Sequence, residues 1–302
     1  MDSESGTRPS KLRALLVLGR VSNLPTVWSN CLAGWWLAGG GPWEHFFFLC
    51  FGATLIYVGG MYLNDACDVD FDRRHRQERP IPSNAVSEKE VWIWTMGLLS
   101  AGTFSFFAFG TRTACFAVLL LFSIVVYNVY HKRLSWSPIL MALCRLFLVI
   151  ASASAASSAS AGGPPEAFGL AIWSAIVLAL YIVGLTYIAK HESLPGLLRF
   201  WPCIFLAAPI VLATIVNREG PRMEGAICSI VMGGWVIWCL THTFAGRKPR
   251  IGKTVSGLLA GIVLVDLLAV VGGLADGAPQ LAGVFALLFV LALFFQKFIP
   301  AT

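Results

Sequence analysis

Residues 64–82 read NDACDVDFDRRHRQERPIP, a polar run inside a chain that is otherwise almost continuously apolar. If the apolar segment before it is helical and carries on through it, Asn64, Asp68 and Asp72 follow at four-residue steps. They then share one face, with Asp65 beside them and Asp70 off it. Carboxylates held this close repel one another unless a cation sits between them. Oxygen-only ligands suit Mg2+, which keeps some of its waters and is usually shared with substrate phosphates. Arg73, Arg74, Arg76 and Arg79 come directly after, and guanidinium groups match phosphate oxygens bidentately. A cation and an arginine cluster together describe a diphosphate site. The competing reading, a solvated loop whose arginines obey the positive-inside rule, explains the arginines but not three acids on one face.

The rest of the chain says where that site sits. Its 302 residues are 57% hydrophobic and 13% charged, with a mean hydropathy of +0.74, which excludes an ordinary soluble domain. Apolar runs long enough to cross a hydrocarbon core recur along nearly the whole length. The expected fold is therefore all-α, a polytopic membrane bundle of nine or ten transmembrane helices forming one domain over residues 1–302. The net charge of +6 comes from short loops between apolar runs, so bilayer orientation accounts for it and no nucleic acid is implied. The eight cysteines show no CxxC pair and no zinc spacing, and read as small buried residues.

The expected spans are 21–40, 43–63, 91–110, 113–130, 138–161, 167–189, 200–216, 225–244, 254–274 and 280–298, the last pair having the softest boundaries. A cytoplasmic amino-terminal segment, residues 1–20, puts Arg8, Lys11, Arg13 and Arg20 on the side of the Asn64, Lys132, Lys190 and Arg247 loops. Of the loop cations only Arg112, Arg218 and Arg222 fall opposite. The chemically interesting loops follow the second, fourth, sixth and eighth spans, all on one face. The Asn64 and Lys190 loops are four spans apart, which hints at two four-helix pseudo-repeats with a site between them. In the fifth span, ASASAASSASAGGPP supplies small residues that let helices approach closely.

At NDACDVDFD, followed by RRHRQERPIPSNAVS, the chain resembles the UbiA superfamily of intramembrane prenyltransferases, whose first signature is an NDxxDxxxD run before an Arg-Pro-rich loop. YNVYHKR is similar to the family's Tyr and Lys-Arg region after the fourth helix, and the span count fits over nearly the whole chain. The resemblance implies transfer of a prenyl group from its diphosphate to a hydrophobic or aromatic acceptor within the bilayer. It implies Mg2+ on Asn64, Asp68 and Asp72 with Asp65 in support, Asp68 and Asp72 being catalytic. Arg73, Arg79, Lys132 and Arg133 would bind substrate and stabilise charge on the departing diphosphate, and Arg20 and Asn23 are plausible substrate contacts. The allylic cation left behind needs a dry chamber with aromatic faces.

The second half departs from the family pattern. Where relatives carry a second aspartate-rich motif, this chain has LTYIAKHESLPG, with no aspartate. Lys190 is expected to meet the diphosphate as a fixed charge, Glu192 is the one carboxylate, and His191 is a candidate general base. The KHE stretch, together with MALCRLF, looks like a divergent branch similar to the EboC-like proteins. Arg145, inside the fifth span, must face the interior or a wet cavity, as substrate contact or structural partner. Asp266 in the ninth span is expected to be structural. Tyr127 is expected to line the chamber and Tyr130 to anchor at the interface. Two rival functions remain: a transporter or lipid-handling protein on the same fold, and a terpene cyclase or another diphosphate-dependent transferase.

Overall fold

The computed structural model describes residues 10–159, 165–190, 200–216, 223–245, 249–271 and 279–301, and these are helical with no strands. In chain order the helices are α1 (Lys11–Leu18), α2 (Leu24–Leu37), α3 (Trp43–Cys67), α4 (Val69–His75), α5 (Glu88–Ser105) and α6 (Thr111–Tyr130). There follow α7 (Ser137–Ala159), α8 (Pro165–Lys190), α9 (Cys203–Leu206), α10 (Ala208–Val216), α11 (Met223–Phe244), α12 (Ile251–Val271) and α13 (Pro279–Phe295). The protein is an integral, multi-pass membrane protein.

Seven of the described helices are long and apolar enough to cross a bilayer, so length alone does not reach the expected nine or ten spans. The other expected spans are apolar helices cut short. The first span begins with a bend at Arg20 (φ 42°) and a 3-10 turn at Val21–Asn23. It then runs on as the 14-residue α2 until Gly39, Gly40 and Gly41, all at positive φ. The seventh is divided into α9 and α10 at Ala207, two residues before Pro209, which lacks the N–H that would bond back to Phe205. The tenth, α13, has 17 residues.

α2 is short because it does not face lipid. Eleven of its 14 residues are buried, and it packs against α3, α7, α8, α12 and α13. An apolar helix contacted on every side belongs in the core. The small-residue stretch of α7 is packed as expected: Ala151 through Ala156 are all buried, and Thr113 Oγ1 of α6 lies 3.0 Å from Ser154 Oγ. α5 ends in a 3-10 turn (Phe106–Phe109), and Gly110 at φ 96° reverses the chain into α6, giving a tight hairpin. All eight cysteines are free. Most exposed aromatic side chains, Phe47, Trp94, Phe104 and Trp238 among them, lie on outward faces of these spans where lipid would contact them. Of the cations used above for orientation, Arg8, Arg218, Arg222 and Arg247 lie outside the described residues.

Candidate active site

Asp68 is the residue at which α3 gives way to α4, yet the four-residue backbone rhythm continues across it. The Asp68 amide donates to the Asn64 carbonyl at 3.0 Å, and the Asp72 amide to the Asp68 carbonyl at 2.9 Å. Asn64, Asp68 and Asp72 therefore stay in step as the spacing predicts. Asp70 points into solvent, where, among the described residues, only Arg73 pairs with it, at 3.6 Å.

The acids do not meet one another; each meets a cation. Arg79 Nη1 lies 2.8 Å from Asp72 Oδ2 and 3.3 Å from Asp65 Oδ1, tying the two carboxylates together. It turns back because the Arg-Pro loop is pinned: Ile81 and Val86 are buried in a small cluster with Ala14, Leu18, Tyr62 and Val91. Lys132 Nζ is 2.6 Å from Asp68 Oδ1, and His131 Nε2 is 3.7 Å from Asp68 Oδ2. Arg20 Nη2 donates to Asn64 Oδ1 at 3.3 Å and stands 3.7 Å from Asp65 Oδ1. A non-glycine residue at positive φ costs on the order of 1–3 kcal/mol and persists only where its surroundings hold it there, and Arg20 (φ 42°) is such a residue at this site.

Two helix ends run in register here. Asn64 Nδ2 donates to Asn128 Oδ1 at 2.9 Å, and one turn further along each helix Asp68 meets Lys132. The Asn128 amide is held in turn by its own bond to the Ile124 carbonyl, 2.9 Å. Asn128 and His131 were not singled out from the sequence, although YNVYHKR contains the signal: Asn128 and Lys132 are four residues apart, the same step as Asn64 and Asp68.

Below Asn64, inside the bundle, lies a cavity of about 240 Å³. Of the acidic run only Asn64 lines it; Arg20, Asn23, Tyr57, Tyr127, Asn128 and Arg145 supply its other main polar groups, and Ile56, Leu120, Ile124, Leu148, Ile182 and Leu185 much of its apolar wall. Its aromatic faces are Tyr57 and Tyr127, the latter stacked on His131 with centroids 5.1 Å apart; among the described residues no phenylalanine or tryptophan lines it. Asn23 donates to the Ala301 carbonyl at 3.0 Å, while its Oδ1 is buried without a hydrogen-bond partner among the described residues.

Several expected site residues are placed elsewhere. Arg73 is exposed and bonds Glu88 Oε2 at 2.9 Å, so it does not join the group. Arg133 is exposed, as is Tyr130, expected at the interface and not in the site. Lys190, at the end of α8, donates to the carbonyls of Ser135 (3.1 Å) and Leu134 (3.4 Å), tying that helix end to the α6–α7 loop. His191 and Glu192 lie outside the described residues.

The donor set can be weighed against Mg2+. No group of three or more His, Cys, Asp or Glu side chains among the described residues encloses a metal by itself. The oxygens fit an open site instead. Asn64 Oδ1 and the Asp68 carboxylate stand on successive turns, and Asp72 Oδ1 is a buried hard oxygen with no hydrogen-bond partner among the described residues. Mg2+ commonly binds through one or two carboxylates and completes its shell with substrate phosphates and water.

Comparison with known proteins now decides the family, because the UbiA prenyltransferase family model matches residues 24–192, from the first residue of α2 to just past α8. The chain belongs to the UbiA prenyltransferase family. Curated relatives include digeranylgeranylglyceryl phosphate synthase of Methanothrix thermoacetophila, 36% identical over 92 residues, which is 30% of this chain and 33% of that protein. The enzyme of the same name from Methanoculleus marisnigri is 30% identical over 127 residues, 42% of this chain and 44% of the relative. The chain thus spans less than half the length of these curated relatives. Solved structures share the UbiA fold over more of the chain. A UbiA homologue from Aeropyrum pernix superposes with a TM-score of 0.68 at 16% identity, covering 85% of this chain and 99% of that one. A homologue from Archaeoglobus fulgidus bound to GPP and Mg2+ gives 0.51 at 15% identity, covering 95% and 97%. Helices α9 to α13 lie beyond the family match, so for them the likeness is one of fold.

Proposed function

We propose that this protein is an intramembrane prenyltransferase that moves a prenyl group from its diphosphate to an acceptor inside the bilayer, as a single domain with its site on the cytoplasmic side. The observation that carries this reading is the stacking of the Asn64–Asp72 group, with its cationic partners Arg20, Arg79 and Lys132, directly over an apolar cavity that Asn64 caps. That arrangement holds a charged diphosphate at the rim and a hydrocarbon tail beneath it.

In this reading Asn64, Asp68 and Asp72 hold Mg2+, with Asp65 supporting them through Arg79. When bound, the ion neutralises charge that develops on the leaving diphosphate oxygens. The chain's own residues do the rest. Arg79 and Lys132, now paired with carboxylates, are positioned to turn toward phosphate oxygens, and Arg20 adds a third cation at the rim. The cavity wall excludes water from the allylic cation, and Tyr57 and Tyr127 present ring faces to it. Lys190 acts by fixing the α6–α7 loop that carries Lys132, through its two carbonyl contacts.

The test is Mg2+-dependent diphosphate release by the purified protein across a panel of prenyl diphosphates, compared with Asp68→Ala. Release that falls at least about 100-fold in the variant is the expected outcome. Tight binding of a prenyl diphosphate with no release, acceptors present or absent, would overturn the reading in favour of transport or lipid handling. Release without any acceptor would favour a cyclase.

A further inference from the structure

The cavity under Asn64 has a floor, and four helices supply it. The deepest residues that line it are Ala53 on α3, Leu120 on α6, Leu148 on α7 and Ile182 on α8. Exposure falls with depth: Met61, Tyr127 and Met141, nearer the diphosphate end, are half-buried, whereas the four deepest residues are between 1% and 6% exposed. One turn deeper on the same helices, Leu49, Ala117, Ala151 and Leu178 are at most 1% exposed, and none of them lines the cavity. Among the described residues the pocket is therefore reached from the Asn64 end and closes on packed core.

The helices also measure its depth. At about 1.5 Å of rise per residue, the eleven residues from Asn64 back to Ala53 span about 16 Å, and the eight from Asn128 back to Leu120 about 12 Å. An extended chain advances roughly 1.2 Å per bond, which is the reach of an extended residue divided over its three bonds, so an isoprene unit of four bonds takes about 5 Å. That depth holds two to three units. Volume favours the lower end of the range: about 240 Å³ has room for about eight water-sized groups of roughly 30 Å³ each, nearer the ten carbons of two units than the fifteen of three. A fourth unit would have to push Leu120 or Leu148 into the buried layer behind them, or fold back toward the rim. Forcing extra carbon into a close-packed core is unfavourable. Shortening Leu120 or Leu148 would deepen the pocket, and lengthening Ala53 would make it shallower.

We propose that this cavity is a blind pocket for a short prenyl chain, two isoprene units with three the longest admitted, and that Leu120, Leu148 and Ala53 set the limit. The proposal rests on the prenyl-transfer reading and names the length class of its donor.

The full-length protein in detergent with Mg2+ is titrated with dimethylallyl, geranyl, farnesyl and geranylgeranyl diphosphate, which carry one, two, three and four isoprene units. Dissociation rates are measured beside Kd, because ligand lost to micelles changes Kd and leaves the dissociation rate alone. Binding is expected to tighten from one unit to two, as buried apolar area grows, and to weaken at least about tenfold from three units to four. Leu120→Ala and Leu148→Ala are expected to remove that loss, and Ala53→Leu to move it one unit down, to the step from two units to three. Wild-type binding that holds level or keeps tightening at four units overturns the proposal even if no variant folds. So does a loss that none of the three substitutions moves. A length limit in a protein that releases no diphosphate would sink the transfer reading and leave the blind pocket standing, whereas failure of all four to bind would sink both.

Discussion

Arg79 does at one point what the aspartate spacing alone leaves undone, because it holds two carboxylates that would otherwise repel each other. Its side chain is 18% exposed and that of Asp72 only 3%, so water does little to screen the pair. Removing one partner of such a pair strands a buried charge. We expect Arg79→Met to lower stability by about 3–5 kcal/mol, and addition of Asp72→Asn to recover a large part of the loss. Unfolding followed in detergent checks this, and a double variant no more stable than Arg79→Met would refute it. Lys132 is the contrast: it is 43% exposed, and its substitution should leave the unfolding temperature nearly unchanged while slowing diphosphate release.

At the scale of the helix, the pairing of α3 with α5 sets where Asn64 emerges. That contact depends on backbone approaching backbone. A Cβ on Gly102 of α5 would lie 2.8 Å from the Ile56 backbone nitrogen of α3, and main chain cannot step aside as a flexible side chain can. Gly97, about one and a half turns away on α5, faces open space. Gly102→Ala should therefore cost about 1–3 kcal/mol through overpacking. Gly97→Ala should be neutral or stabilise by up to roughly 1 kcal/mol, since alanine is the better helix former. Equal effects of the two substitutions, read from thermal unfolding, would show that α3 and α5 are not packed this closely.

Over the whole molecule, Lys11, Arg13, Arg20 and Lys132 gather at the end that carries the site, and Arg112 lies at the other, where its guanidinium covers the Phe168 ring at 3.9 Å. By the positive-inside rule, the cytoplasmic orientation of the site that we propose predicts how thiols on the two sides will label. In a cysteine-free background, Gln77→Cys should react with an impermeant thiol reagent from the cytoplasmic face only, and Glu44→Cys from the opposite face only. The reverse pattern would invert the topology.

What the sequence determined by itself is local and periodic. Apolar runs, seven of which form helices of membrane length, the four-residue step from Asn64 to Asp72 and the small-residue face of α7 all depend on neighbours along the chain and are found in the structure. Which charge meets which was decided only in three dimensions. Arg79 and Arg73 look alike in a run of arginines, but a loop pinned by Ile81 and Val86 turns one toward Asp65 and Asp72, and leaves the other on Glu88. Lys190 is expected from the sequence to meet the diphosphate, but its contacts to the carbonyls of Leu134 and Ser135 come from the folding of the α6–α7 loop, which the sequence does not display. The hydrogen bonds from Asn30 to Asp266 and from Arg145 to Asn30 join residues more than a hundred positions apart on three helices. Burial makes such contacts matter, because inside a bundle an unpaired polar group has no water to turn to, and only the packing of helices decides which partner it finds.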